Sequence, residues 1–419
     1  MPEKIRYGRG FISLDDCFHD ADILTPRSAP AIPDLSRALY EALDKTGMVA
    51  RIMNSRDSRG DAVLMVDAPA YSPIDTERLL TPTLSFIEAT GIRIEDVQIL
   101  VVCPVAKRVG RDDIGSISKA VTRYPVFVHD PDASDELVSM GRTPTNGTPV
   151  TVNRLLSVSD VRIAVSAIVP DVYTGATGGF SPILPGSSGL ATVLRHRHLY
   201  MEGPFGLCSI DSPVVTDMRE CSEMVGMDLI VNVVLDWQGS PVRVLAGEPS
   251  CWEDGVNTLR QLSRVPLRRK ADITVVGAGG HPSDRTLYDA ADALVAGMAV
   301  TRRNGAIVLV AECPEGVGPS GFIDTVGGCS SSEAVATLAR RRFRIGMEKA
   351  ALFWRVLEHM RIVIVSTIDD SIVDADLHCS PAHSVEEAME IAQRLVGEHM
   401  RTAVLPAGNS TLPLMQELV

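Results

Sequence analysis

The stretch VRIAVSAIVPDVYTGATGGFSPILPGSSG (residues 161–189) decides the fold class that we predict for this chain. Its first part is largely apolar on both faces, which is typical of a parallel strand covered by helices on two sides. Glycines and prolines follow at once, at the end of the strand where open α/β sheets bind ligands. The loop matches neither of the common glycine-rich phosphate motifs. A ligand-holding loop and a purely structural loop with positive φ angles therefore stay equally open.

Strand-like and helix-like segments alternate along the rest of the chain. Apolar runs of strand length lie at 62–66, 97–102, 229–235, 273–279, 306–312 and 361–367. Helical patterns lie between them, at 76–90, 256–264, 285–299 and 384–396. In the last of these, Ser384 is a candidate N-cap with two glutamates in the first turn. The alternation predicts an α/β class with mostly parallel sheets.

A short basic link, VPLRRKAD (265–272), predicts the domain boundary, because a new strand–glycine–helix unit begins directly after it. We expect two α/β domains, residues 1–266 with the glycine-rich loop and residues 267–399. The C-terminal tail, residues 400–419, is expected to pack back on the first domain.

Composition excludes several classes of partner. The 419 residues carry a formal net charge of −13 and only 5% aromatic residues, which argues against nucleic acid and anionic membranes. No apolar run approaches the roughly eighteen residues of a membrane span, and the N-terminus has no apolar signal segment. The eight cysteines are scattered, as reduced thiols usually are. We expect a cytoplasmic protein with a small-molecule ligand; a homo-oligomer stays possible.

Two further groups of residues are candidates for chemistry. The segment RHRH (195–198) lacks the spacing of a zinc-binding histidine pair, and it is either a site for a carboxylate or phosphate or a solvated helix end. In VVGAGGHPSDRTLYDAADAL (275–294), Asp289 and Asp292 are three residues apart and therefore neighbours on a helix. Such a pair either divides acid and base roles or is only a solvated face.

Several long motifs, taken together, resemble the lactate racemase family, whose members use a nickel-pincer nucleotide cofactor. They are GIRIEDVQILVV (91–102), MGRTPTNGTPVTVNR (140–154), IVPDVYTGATGGFSPILPG (168–186), MDLIVNVVLDWQG (227–239), GGHPSDRTLYDAADAL (279–294) and VLVAECPEGVG (308–318). The resemblance implies two α/β domains with an active site in the cleft between them.

The chain differs from the family pattern at residues that carry the family's chemistry. Ser181 stands where the resemblance places the lysine that holds the pincer covalently, so we expect no covalent nickel-pincer cofactor. Asp171 replaces a histidine. The nickel-binding histidine falls near Arg197, between His196 and His198, which are the metal-ligand candidates only if nickel is retained.

Three more differences concern the substrate side. The segment DAPA keeps Asp67 but has Ala70 in place of an arginine, and CPVAKR (103–108) has Ala106 in place of a catalytic histidine. The helix motif YDAAD keeps Tyr288, while Asp289 and Asp292 replace a glutamine and a lysine. A pocket that exchanges cations for carboxylates should repel lactate and favour a neutral or cationic ligand.

These comparisons give the site predictions. Asp171, Asp289 and Asp292 are the candidate catalytic residues. The candidate ligand-binding residues are Asp67, Gly178, Gly179, Ser181, Arg197 and Tyr288. Three functions stay open: a diverged enzyme acting on a polar small molecule, a 2-hydroxyacid racemase or epimerase with a non-covalently held nickel nucleotide, and a non-catalytic binding protein. The cofactor is not determined by the sequence.

Overall fold

The computed structural model describes residues 4–14, 18, 20–47, 60–89, 91–103, 114, 117, 121–203, 209–397 and 400–416. These residues form two compact units. The N-terminal unit contains residues 29–203 and 209–259, and the C-terminal unit contains residues 4–28 and 260–416.

The strands follow one another in this order: β1 (Lys4–Tyr7), β2 (Gly10–Ser13), β3 (Asp22–Ile23), β4 (Ala62–Asp67), β5 (Val97–Val102), β6 (Val126–Val128), β7 (Leu137–Arg142), β8 (Pro149–Asn153), β9 (Val161–Ile168), β10 (Pro170–Asp171), β11 (Gly175–Ala176), β12 (Leu229–Leu235), β13 (Pro241–Gly247), β14 (Arg264–Leu267), β15 (Ala271–Gly277), β16 (Thr301–Val310), β17 (Arg361–Val365), β18 (Ser380–Ala382), β19 (Thr402–Leu405) and β20 (Leu412–Met415). The helices are α1 (Leu35–Asp44), α2 (Glu77–Ala89), α3 (Arg154–Val158), α4 (Leu190–Tyr200), α5 (Pro213–Val225), α6 (Trp252–Ser263), α7 (Leu287–Ala290), α8 (Ala293–Val300), α9 (Ser320–Gly328), α10 (Ser332–Arg341), α11 (Met347–Leu357) and α12 (Val385–Val396).

The N-terminal unit is built on a six-stranded sheet with the order β13-β12-β9-β4-β5-β6. All neighbours are parallel except the β12–β13 pair. Side chains alternate between the two faces of each strand. On one face, Leu64, Val66 and Val165 join a core cluster that includes residues of α1 and α2. The opposite face is therefore the one on which Met65 and Ser166 lie.

The C-terminal unit is built on a second six-stranded sheet, ordered β18-β17-β16-β15-β19-β3, in which every neighbouring pair is parallel. One face packs in a core cluster with the apolar stripe of α12. As predicted, Ser384 caps this helix by accepting a hydrogen bond from the backbone N–H of Glu387. The predicted α/β class with mostly parallel sheets is confirmed.

The structure differs from the predicted domain limits in three ways. The division falls between residues 259 and 260, not after 266. The first 28 residues group with the C-terminal unit, because β3 pairs with β19 and Ile5 is fully buried in that unit's core. The tail belongs there as well, since β19 is hydrogen-bonded to β15 and β20 to β14. Strand pairing between distant segments has no signal in local sequence. The cleft between the domains stays a prediction.

Candidate functional site

The glycine-rich loop begins with a tight hairpin at the carboxyl end of β9. Strands β10 and β11 pair there, with Asp171 opposite Gly175. The Oδ1 atom of Asp171 accepts hydrogen bonds from the backbone N–H groups of Tyr173 and Thr174, at 2.9 and 2.7 Å, and from the Thr174 hydroxyl at 2.8 Å. The structure thus gives the carboxylate of this candidate catalytic residue a role in shaping the turn.

The two central glycines of the loop are packed against the protein itself. Gly178 and Gly179 have φ angles of 78° and 56°, a backbone conformation that favours glycine. A Cβ atom at Gly179 would lie 2.4 Å from Cγ of Trp252. The N–H of Gly178 donates to Ser181 Oγ at 3.1 Å, and that of Gly179 donates to Asn232 Oδ1 at 3.0 Å. Both predicted ligand-binding amides therefore have acceptors within the chain.

Ser181 is buried and belongs to this internal network. Its hydroxyl accepts the Gly178 N–H, its own N–H donates to the Gly178 carbonyl at 3.0 Å, and its carbonyl accepts the N–H of Gly186. The sequence pattern alone is compatible with a purely structural loop and with a loop that holds a ligand. The contacts of the central segment account for its glycines by packing, and they give the serine a capping role.

A row of polar residues crosses the sheet on the face toward this loop. Ser166 in β9 pairs with Asn232 in β12, and Asp67 in β4 follows Val66, which pairs with Val165. Asp67 therefore lies beside Ser166 at the carboxyl ends of adjacent strands. The amide of Asn232 donates to Ser166 Oγ at 2.8 Å. Ser166 and Asn232 are not among the predicted site residues; their signal in the sequence is a polar residue inside an otherwise apolar strand.

Asp67 is the most perturbed carboxyl of this row. Its side chain is only partly exposed, and burial raises its pKa to about 7. A carboxyl with this pKa exchanges a proton at neutral pH, which is what a general acid or base requires. In the segment CPVAKR, residues 104–108, which include Ala106, lie outside the described residues.

His196 and Asp217 form a buried pair between α4 and α5. The Nδ1 atom of His196 lies 3.1 Å from Asp217 Oδ2, and Asp217 Oδ1 accepts the Thr143 hydroxyl at 2.7 Å. Burial lowers the pKa of His196 more than the Asp217 carboxylate raises it, so the imidazole is neutral. Burial alone would raise the pKa of Asp217, but the hydrogen bonds from His196 and Thr143 bring it below its usual value. A proton on Nδ1 leaves a lone pair on Nε2.

The other residues of the RHRH segment differ in burial. The guanidinium carbon of Arg197 lies 3.9 Å from the centroid of the Tyr173 ring, and the side chain is buried. His198 is half-buried, with Nδ1 3.5 Å from Arg195 Nη1. The interpretation of this segment as a solvated helix end is therefore wrong for His196 and Arg197.

The predicted carboxylates of the C-terminal unit have separate partners. Asp289 Oδ2 accepts the Thr286 hydroxyl at 2.7 Å, and burial raises the Asp289 pKa although the charge of Lys349 acts against this. Asp292 Oδ1 lies 2.7 Å from Nζ of the buried Lys349. The hydroxyl of Tyr288 donates to Glu348 at 2.7 Å. The interpretation as a solvated helix face is wrong for Asp292.

The described residues were also compared with the requirements of a metal site and of a membrane-spanning helix. Among them, no group of three or more histidine, cysteine or acidic side chains has an arrangement that could hold a metal ion. Within the same residues, no helix is both long enough and apolar enough to span a bilayer.

The chain is thus an α/β protein of two units, each built on a mostly parallel sheet, with a row of polar side chains on β4, β9 and β12 of the N-terminal unit. Residues 7–204 match the family described as the lactate racemase N-terminal domain, and residues 267–412 match the lactate racemase C-terminal domain. The chain belongs to the lactate racemase family.

Individual relatives agree with this assignment. The lactate racemase of Thermoanaerobacterium thermosaccharolyticum is 26% identical over 293 residues, which is 68% of each chain. The lactate racemase of Lactiplantibacillus plantarum is 25% identical over 296 residues, or 69% of each chain.

Solved structures share the fold. The lactate racemase apoprotein from Thermoanaerobacterium thermosaccharolyticum superimposes with a TM-score of 0.86 at 22% identity, over 99% of this chain and 100% of the other. A protein from Thermotoga maritima gives a TM-score of 0.68 at 13% identity, over 93% of this chain and 100% of the other. At these identities the likeness concerns the fold alone.

Proposed function

We propose that this chain is a diverged enzyme of the lactate racemase family that acts on a small polar molecule by proton transfer through Asp67. The observation that carries the proposal is the position of Asp67, at the carboxyl end of β4 on the face toward the glycine-rich loop. Its burial brings its pKa to about 7, where the group can both give and take a proton. Ser166 and Asn232, in the same row, add polar atoms beside it.

The residues of the loop do not fit a covalently attached nickel-pincer nucleotide. Such an attachment, as the family resemblance implies it, needs an amine at position 181. Ser181 offers only a hydroxyl, and that hydroxyl already accepts the Gly178 N–H.

The proposal includes the class of ligand and a cytoplasmic location. The carboxyl of Asp67, with no arginine at position 70, favours a neutral or cationic polar molecule over lactate. The described cysteines are free thiols, and Cys221, Cys313 and Cys379 are among those that are buried, which suits a reducing compartment.

The test follows proton exchange at carbon. Purified protein is incubated in D₂O with neutral hydroxyketones, amino ketones and 2-hydroxy acids, because a C–H bond beside a carbonyl group can lose its proton to a carboxylate while the carbonyl oxygen takes the charge, and loss of C–H signal is followed by proton NMR. We expect exchange with a neutral or amine-bearing compound, and a loss of about 100-fold in rate or more for Asp67→Asn, as for removal of a general acid–base group. Asp160→Asn is the control, because this exposed acid precedes β9 at the other end of the strand. An Asp67→Asn rate equal to that of the wild type would contradict the proposal.

A second candidate is a racemase or epimerase that holds a nickel nucleotide without a covalent bond. The observation that favours it is the His196–Asp217 pair, because an imidazole whose Nδ1 is oriented by a carboxylate is a common arrangement of metal ligands. Intact-mass spectrometry and metal analysis separate the two. The first proposal predicts the mass of the unmodified chain and no nickel; one nickel per chain, lost in His196→Gln, would support the second.

A further inference from the structure

Lys349 is a buried lysine in a chain that has only six. It is 3% exposed, whereas Lys4, Lys45 and Lys270 are exposed. A buried ammonium group is costly unless it is paired and hydrogen-bonded. The local position adds to this cost, because Lys349 lies in the first turn of α11, where the helix dipole disfavours a cation. Local sequence therefore does not explain why a lysine stands here.

Its tertiary contacts do explain it. The Nζ atom lies 2.7 Å from Asp292 Oδ1 and 4.3 Å from the centroid of the Tyr288 ring. The ion pair is unequal in exposure: the Lys349 side chain is 4% exposed and that of Asp292 is 22% exposed. Of the two partners, the Asp292 side chain is therefore the more exposed to solvent.

The same contact separates the two neighbouring carboxylates. Asp292 is held by Lys349, whereas Asp289 is hydrogen-bonded to the Thr286 hydroxyl within its own turn. Further charged or titratable groups near them are Arg285 and Glu315, joined through two hydrogen bonds, Glu348, which accepts the Tyr288 hydroxyl, and the buried thiol of Cys313 near Asp289. The family resemblance places a lysine at position 292. Here residue 292 is a carboxylate, and the cation next to it is the ammonium group of Lys349.

We propose that Lys349 is a positioning residue for ligand recognition: it keeps Asp292 ionised and fixed as a hydrogen-bond acceptor for hydroxyl or ammonium groups of the ligand. The inference rests on the proposed function for its class of ligand. It concerns a different unit from Asp67, so the two can fail separately.

The first measurement is the titration of the Asp292 carboxyl, followed by carbon-13 NMR and assigned with Asp292→Asn. In Lys349→Met, a partly buried carboxyl loses its cation, so its pKa should rise by at least about one unit. Lys349→Arg should restore the wild-type titration, because the cation is retained. An unchanged Asp292 titration in a folded Lys349→Met protein would overturn the proposal, whether or not any ligand has been found.

The second measurement uses ethanolamine as the probe, with binding followed as the increase in melting temperature at pH 5 and at pH 8.5. Wild type and Lys349→Arg should show the same increase at both pH values. Lys349→Met should lose at least about half of it at pH 5 and regain it at pH 8.5, where Asp292 is again ionised. Asp292→Asn should lose it at both.

A purely structural lysine would give an effect that does not depend on pH, and that outcome would overturn the inference. If Lys349→Met does not fold, the double variant Lys349→Met/Asp292→Asn removes the unpaired charge and tests the same point, since it should show no pH-dependent recovery. Recovery in the double variant would contradict the assignment to Asp292.

Discussion

At the scale of single residues, burial decides which carboxyl groups titrate near neutral pH. Asp67 and Asp217 are both shielded from water, yet their pKa values move in opposite directions. Burial raises that of Asp67 to about 7, while for Asp217 the hydrogen bonds from His196 and Thr143 outweigh burial and lower it. Only the first of these groups is able to change its charge under physiological conditions.

This gives a prediction for stability. Between pH 4 and 7 the folded state holds a proton on Asp67 that the unfolded state releases, so the free energy of unfolding should fall as pH rises through this range and level off above it. Asp67→Asn, which resembles the protonated form, should remove this dependence. One pKa unit corresponds to about 1.4 kcal/mol, so the variant should be about 2 kcal/mol more stable at pH 8, allowing for partial exposure.

Urea unfolding at pH 5 and pH 8 measures the effect. The difference between variant and wild type should shrink at pH 5 and nearly vanish at pH 4. An Asn variant that is less stable than the wild type at pH 8 would show that the carboxylate is stabilised by a cation, and that burial does not dominate.

At the scale of elements, the glycine-rich loop is held by contacts with a strand and a helix that lie more than fifty residues later. Asn232 of β12 accepts the Gly179 N–H, and Nε1 of Trp252, the first residue of α6, donates to the Thr177 carbonyl at 2.9 Å. The ring of Phe180 packs edge-on against Trp252, with centroids 5.4 Å apart. The loop is therefore part of the packed interior of the unit.

Gly179→Ala should destabilise the protein by about 3 kcal/mol, the sum of a positive φ angle and of a methyl group forced against the Trp252 ring. Gly147→Ala is the matched control, because Gly147 has a φ angle of 64° but nothing within 4 Å of its Cβ position. It should cost only the backbone term, about 1–2 kcal/mol. Equal losses of unfolding free energy in urea would contradict the packing argument.

At the scale of the whole molecule, the first residues and the last part of the chain belong to the same unit. Residues 4–28 and 260–416 form the C-terminal unit, and more than two hundred residues of the N-terminal unit lie between them in the sequence. Strand β3 completes the sheet of the C-terminal unit, and Ile5 of β1 is 0% exposed in the core that α12 also lines. The fold of residues 260–416 thus includes the beginning of the chain.

Ile5→Ala should therefore destabilise the C-terminal unit, by about 2–5 kcal/mol as for a buried aliphatic truncation. Hydrogen exchange should show faster exchange in β15 and β16 and unchanged protection in β4 and β9. Phe11→Ala is the control: this ring in β2 is 62% exposed and should cost less than about 0.5 kcal/mol. Faster exchange confined to β4 and β9 would contradict the assignment of Ile5 to the core of the C-terminal unit.

The sequence by itself determined the α/β class, most of the central strands, the helix cap at Ser384 and the family. These follow from local apolar periodicity, from capping chemistry and from motifs that lie within short stretches of chain. It also determined that position 181 carries a hydroxyl and no amine.

Only the tertiary structure decided which residues meet. The pairing of Lys349 with Asp292 joins α11 to the N-cap residue of α8, the pairing of Asp217 with His196 joins α5 to α4, and the tail pairs with strands more than a hundred residues earlier. Such contacts depend on strand order and helix packing, which no local pattern encodes. Burial, which sets the pKa of Asp67, is likewise a property of the folded chain, because it depends on every segment that excludes water from the carboxyl.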